Sequence, residues 1–205
     1  MDKLLGWITN YLIRESIIKK EDEEIYAYSF RVVFLMAVTI AIIIALSLYL
    51  NCLLESLAFL AFLAPLRTYA GGYHADSQWL CFILYIVLNF SAVALSSIIP
   101  NEGYMLLMLV ALPLSVLIIF FLAPVAAQNK PLDEDEIKNY KKISIYVVLV
   151  ESLLIVAVFS LFGSMPGIYL SGTLGVLVAA ISLVAEKIRI NLEGGDLSYE
   201  IKREV

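Results

Sequence analysis

Two side chains able to do covalent chemistry lie close together in this chain: His74 and Cys81, seven residues apart. His74 is the only histidine and Cys81 one of two cysteines. A thiolate is a nucleophile and an imidazole titrates near neutrality, so a Cys and a His within reach make a nucleophile with its base. Gly71 and Gly72 precede the histidine and allow a sharp turn where other residues would clash. Asp76 or Ser77 is placed to cap a helix that begins just before Cys81, whose free N–H groups and positive dipole end favour thiolate over thiol. Asp76 has a second reading, as a carboxylate orienting the imidazole. The spacing is also met by a bland arrangement, with Cys81 packed in a core and His74 hydrogen-bonded at an interface.

The elements that must position this pair are membrane helices. The chain has 205 residues, of which 61% are hydrophobic and only 16% charged, and its mean hydropathy is +0.90. That charge content is well below the roughly 25% of soluble domains. Several apolar runs approach the roughly 20 residues that cross a hydrocarbon core. Six spans are expected, at residues 32–50, 52–66, 79–99, 104–125, 143–162 and 168–185, with Pro113 interrupting the fourth. Leu4, Leu5, Ile8, Tyr11 and Leu12 recur at helical spacing within residues 1–20, which predicts an amphipathic helix in the membrane interface or packed on the bundle. The fold class is therefore all-α: one polytopic domain over residues 1–205, with a loose polar tail at 191–205.

The cations set the topology. Lys3, Arg14, Lys19, Lys20 and Arg31 precede the first span, and Arg67 follows the second. Lys130, Lys138, Lys141 and Lys142 separate the fourth and fifth, and Lys187, Arg189, Lys202 and Arg203 follow the sixth. With six spans all 14 basic residues fall on one side, so both termini and the His74–Cys81 segment are expected in the cytoplasm. Omitting the short second span would break that segregation. Cys52 then lies at the opposite surface, out of disulfide reach of Cys81.

Other polar residues carry two readings each. Arg67 either binds an acidic substrate segment or snorkels to headgroups. Lys130, Lys141 and Lys142 either extend a cationic patch or simply satisfy the positive-inside rule. Glu151 lies about nine residues beyond Lys142, roughly 13 Å into the bilayer at about 1.5 Å per residue. At that depth it lines a chamber, pairs with a polar group or is protonated in a packed interior. The acidic run at 133–136 reads as a solvated helix start. Small residues Gly163, Gly167, Ser171, Gly172 and Gly175 permit close helix contact, within the bundle or across a homodimer. No metal cluster, dinucleotide fingerprint or phosphate loop is present, so no cofactor, metal or nucleic acid is expected.

Residues 67–74 read Arg-Thr-Tyr-Ala-Gly-Gly-Tyr-His, with Cys81 seven positions on and Asn129, Lys130 and Pro131 after the fourth span. This pattern resembles the signature of the accessory gene regulator B family over nearly the whole chain. The resemblance implies a bacterial cytoplasmic-membrane cysteine endopeptidase acting on a short quorum-sensing peptide precursor. Cys81 would form a thioester at the boundary of the signal, releasing an acidic C-terminal tail, with His74 as base and then acid. An internal Cys or Ser of the peptide would close a thiolactone or lactone. A peptide transporter, in which Glu151 rather than Cys81 is essential, and a non-catalytic scaffold remain as alternatives.

Overall fold

The computed structural model describes residues 7, 9, 11–15, 17–73, 77–125, 133–161, 163 and 165–192. After a 3-10 turn at Lys20–Asp22 come six helices: α1 (Glu23–Tyr49), α2 (Leu53–Ala70), α3 (Gln78–Ile98), α4 (Asn101–Leu122), α5 (Glu134–Leu161) and α6 (Pro166–Leu192). All six contain a stretch long and apolar enough to cross a membrane. Among the described residues there is no strand, only an isolated bridge between Gly71 and Val125. Of the expected N-terminal interfacial helix, residues 11–14 are helical, while residues 1–6, 8, 10 and 16 lie outside the described set.

The helices run past the apolar stretches that define them, because hydropathy marks only the hydrocarbon-crossing part of a helix. α1 begins at Glu23 rather than 32, and α5 at Glu134 rather than 143. α6 continues to Leu192, so residues 191 and 192 belong to a helix and not to the tail. α2 continues through Pro65 to Ala70, which puts Arg67 inside its last turn rather than after it. α4 ends at Leu122, and residues 123–125 leave it in an extended conformation that includes a cis Ala123–Pro124 bond. The start of α5 is a reciprocal capping box. The Glu136 amide donates to Asp133 Oδ1 at 2.7 Å and the Asp133 amide to Glu136 Oε2 at 3.2 Å, so the acidic run is a helix start.

α6 is the centre of the bundle. Thirteen of its residues are buried, against four on α1 and four on α5. Its small side chains make this packing feasible. A Cβ on Gly175 would sit 2.7 Å from the Phe59 carbonyl oxygen, and one on Gly172 would sit 2.9 Å from the Phe62 ring. α6 packs most extensively on α2 and α4, while α1 packs chiefly on α3 and α2 at one edge. The Gly172–Gly175 stripe is thus spent within the bundle. Polar ties cross the interior: Asn89 on α3 donates to the Ser56 carbonyl of α2 at 3.1 Å, and Ser171 on α6 donates to Ser96 on α3 at 3.4 Å. Large apolar side chains such as Phe34, Ile83, Leu106, Phe121 and Leu153 point outward, as lipid-facing surfaces require.

Short connections alternate the helix directions. One end of the bundle gathers the start of α1, the ends of α2, α4 and α6, and the starts of α3 and α5. Contacts between residues 70–73 and both Val125 and Ser182, and between the Tyr69 and Tyr140 rings at 6.1 Å, join several of these termini directly. The cations of the helices, Arg31, Arg67, Lys138, Lys141, Lys142, Lys187 and Arg189, all belong to this end. The opposite end holds a cavity of about 570 Å³ lined by Cys52, Glu55, Ser96, Tyr104 and Gly167, among others.

Candidate active site

Cys81 lies in the first turn of α3, half-buried. Its amide donates to the Ser77 carbonyl at 3.1 Å, which leaves the four amides from the N-cap Ser77 to Leu80 as the ones without an intrahelical acceptor. The N-cap position falls on Ser77, in extended conformation, and its side chain makes no capping hydrogen bond. Cys52 is also a free thiol; it lies at the far end of the bundle, in the cavity wall, with its Sγ 4.0 Å from Ser56 Oγ. His74 and Asp76 lie outside the described residues, as does Lys130.

The approach to His74 is built by backbone constraint. Gly71 has φ 81° and ψ −143°, and Gly72 has φ 121°, both on the side of the map that L side chains avoid. Space is as tight as the dihedrals. A Cβ on Gly71 would run into the Val125 carbonyl oxygen, and one on Gly72 into the Arg67 guanidinium and the Ser182 hydroxyl. The Val125 amide donates to the Ala70 carbonyl at 2.9 Å, docking the chain that leaves α4 against the chain that leaves α2. The Tyr73 amide donates to the Ser182 carbonyl of α6 at 2.9 Å.

Arg67 ties these pieces together. Its Nε donates to the Tyr85 hydroxyl on α3 at 3.3 Å, and one terminal nitrogen donates to the Gly71 carbonyl and to Ser182 Oγ, both at 3.2 Å. The other donates to the Tyr73 carbonyl at 2.7 Å. Four of the five guanidinium hydrogens are therefore used inside the protein. Ser182 Oγ can accept because its own hydrogen goes to the Ala179 carbonyl at 2.8 Å. The two readings of Arg67 drawn from sequence, tail binder and headgroup anchor, are joined by a third that neither anticipates. It is a latch fixing the Gly71–Tyr73 segment between α3 and α6.

The remaining candidates sit around this latch or apart from it. Lys141 and Lys142 are exposed on the third turn of α5 at the same end of the bundle. Glu151 is buried on the inner face of α5 with Ser144, Val148 and Ile155, and neither of its carboxyl oxygens has a hydrogen-bond partner among the described residues. Sequence reading did not single out Tyr73, Tyr85, Ser182, Glu186 or Arg189. Glu186 and Arg189 alone left a local trace, an acid and a base at i, i+3 near the end of α6. No group of three or more His, Cys, Asp or Glu that could hold a metal ion occurs among the described residues.

The arrangement has relatives. The family model for accessory gene regulator B matches residues 7–183. A Clostridium perfringens (strain SM101 / Type A) protein described as AgrB-like is 29% identical over 174 residues, covering 80% of this chain and 81% of its own. A second AgrB-like protein, from Clostridium perfringens (strain 13 / Type A), is 30% identical over 136 residues, 63% of this chain and 64% of its own. No solved structure matches the chain. A match over most of the sequence, on a bundle of six membrane-crossing helices, shows that the chain belongs to the accessory gene regulator B family, with a role in quorum-sensing peptide processing.

Proposed function

We propose that the protein is a cysteine endopeptidase of the cytoplasmic membrane that trims a short signal-peptide precursor. The thiolate of Cys81 attacks the carbonyl at the C-terminal boundary of the signal, and His74, having taken the thiol proton, returns it to the departing amine of the tail. The acyl group is left on Cys81 as a thioester. An internal Cys thiol or Ser hydroxyl of the bound peptide then attacks it, loses its proton to His74, and leaves as a thiolactone or lactone while the Cys81 thiol is restored. Exclusion of water keeps hydrolysis from competing, and a site at the end of a lipid-embedded bundle favours that.

One observation carries this reading. The segment leading into His74 is latched by Arg67 to α3, the helix whose first turn bears Cys81. Such an investment in fixing backbone is what a base that must meet a nucleophile requires. Orientation follows from charge. The basic residues of the described helices belong to the Cys81 end, which supports a cytoplasmic position for that end and for both termini. Lys141 and Lys142, exposed there, suit the acidic tail of a precursor.

Processing of a cognate precursor in proteoliposomes tests the proposal. Wild type is expected to release the tail peptide, while Cys81→Ala and His74→Ala insert normally and release none. Tail release by Cys81→Ala would remove the nucleophile from the scheme. Glu151, buried and without a hydrogen-bond partner among the described residues, is the observation that favours a peptide transporter. That reading requires Glu151 for peptide movement and predicts no cleavage by any variant.

A further inference from the structure

Forming and breaking the thioester each pass through a tetrahedral centre, because the electron pair of the attacked carbonyl moves onto its oxygen before a leaving group departs. The scheme above gives that oxyanion no donor, although preset donors are a large part of acyl-transfer catalysis. α3 carries a side chain placed to be one. Cys81, Tyr85, Asn89 and Ala92 recur at helical spacing along it; Asn89 and Ala92 are buried, while Leu80 and Ile83 are exposed. Cys81 and Tyr85 therefore stand one turn apart on the stripe that faces the bundle, both half-buried. Side chains on a helix lean toward its N-terminus, which carries the Tyr85 ring back over the turn that bears Cys81.

The tip of that ring is fixed. Tyr85 Oη accepts from Arg67 Nε at 3.3 Å, and the same guanidinium donates to the Tyr73 carbonyl at 2.7 Å. The phenol is thus held within one guanidinium's reach of the chain that leaves α2 toward α3. Among the described residues the Tyr85 hydroxyl accepts but has no acceptor for its own hydrogen. Accepting from a cation polarises an O–H and strengthens it as a donor. We propose that Tyr85 is a catalytic residue whose hydroxyl donates a hydrogen bond to the oxyanion formed at the carbonyl that Cys81 attacks. In each half of the reaction that bond tightens as the carbonyl pair moves onto oxygen. It relaxes as the pair returns to C=O, expelling the tail amine in the first half and the Cys81 thiolate in the second. No proton leaves Tyr85. The inference rests on Cys81 as the nucleophile.

The test uses the full chain in proteoliposomes on a Cys52→Ser background, which leaves Cys81 as the sole thiol. Tyr85→Phe removes one oxygen and keeps the ring. Its kcat for tail release should fall by on the order of 100-fold with KM within about twofold, the scale of one oxyanion donor. Alkylation of Cys81 by iodoacetamide displaces iodide at a saturated carbon and forms no oxyanion, so its rate should match wild type. A structural role for the hydroxyl would instead slow both reactions together. Ring closure passes through the same kind of centre, so its single-turnover rate from the acyl-enzyme should fall by a similar factor. Unchanged tail release, equal losses in tail release and alkylation, a raised KM at unchanged kcat, or ring closure at the wild-type rate would each overturn the proposal. A Tyr85→Phe chain that failed to fold would show the hydroxyl to be structural and overturn it equally. Tail release by Cys81→Ala would sink the nucleophile, and Tyr85 with it; an inactive Cys81→Ala beside a fully active Tyr85→Phe would remove the phenol alone.

Discussion

Replacing Arg67 by lysine separates three accounts of that residue. A headgroup anchor or a general attractor for an acidic tail needs only a positive charge, and lysine supplies one. A latch needs the planar fork. The guanidinium donates to Tyr85 Oη, Gly71 O, Ser182 Oγ and Tyr73 O, four acceptors on three separate pieces of the chain. A single ammonium nitrogen on a different stem can meet about two of them. Losing two charge-assisted hydrogen bonds at about 1.5 kcal/mol each costs about 3 kcal/mol, a factor on the order of 100 in the population of the latched segment. The loss is local, since the helices pack through α6 and not through this loop. Arg67→Lys should therefore insert and melt much like wild type while its kcat falls by up to about 100-fold, equally on acidic-tailed and neutral-tailed precursors. The assay is tail release in proteoliposomes, with thermal unfolding as the control. Activity within about threefold of wild type would refute the latch, and a loss confined to acidic tails would restore the tail-binding reading.

Three further outcomes follow from the geometry. Gly72→Ala places a methyl group at φ 121° against the Arg67 guanidinium and Ser182; strain of about 1–3 kcal/mol there should abolish most tail release with insertion intact, and wild-type turnover would show that the turn does not matter. Glu151→Leu removes a buried carboxyl that has no hydrogen-bond partner among the described residues and should raise the melting temperature in detergent, by about 1–3 kcal/mol of stability; a lower midpoint would mean the group is satisfied by a partner after all. Asp133→Ala breaks the capping box of α5 and should speed amide exchange in residues 134–137, by about 1 kcal/mol of local opening; unchanged exchange would place the start of α5 under other control.

The helices were legible because each crossing needs a long apolar run, and the short second span was secured by the distribution of Lys and Arg rather than by its own hydropathy. Their ends were not, since Glu23–Glu24, the 134–142 turns of α5 and residues 186–192 are helix rich in charged and polar residues, which hydropathy does not count toward a span. Gly71 and Gly72 announced a turn, and both have the positive φ that a turn by glycine implies. What sequence could not supply was the meaning of Arg67. Its partner Ser182 is 115 residues away, and Tyr85 is one of 12 tyrosines with nothing local to mark it. The inward turn of Arg189, whose guanidinium lies 5.4 Å from the Tyr73 ring centroid, was hidden for the same reason: sequence offered it only as one more cation setting the topology.

The central claim is that Cys81 becomes acylated during turnover. Mixing the proteoliposome-embedded protein with a precursor whose internal nucleophile is replaced by alanine should stall the reaction at the thioester. Intact-mass and peptide-mapping spectrometry would then find the signal half of the peptide on Cys81, labile to hydroxylamine, in wild type and not in Cys81→Ala. Tail release without any adduct, or an adduct elsewhere in the chain, would contradict covalent catalysis by Cys81.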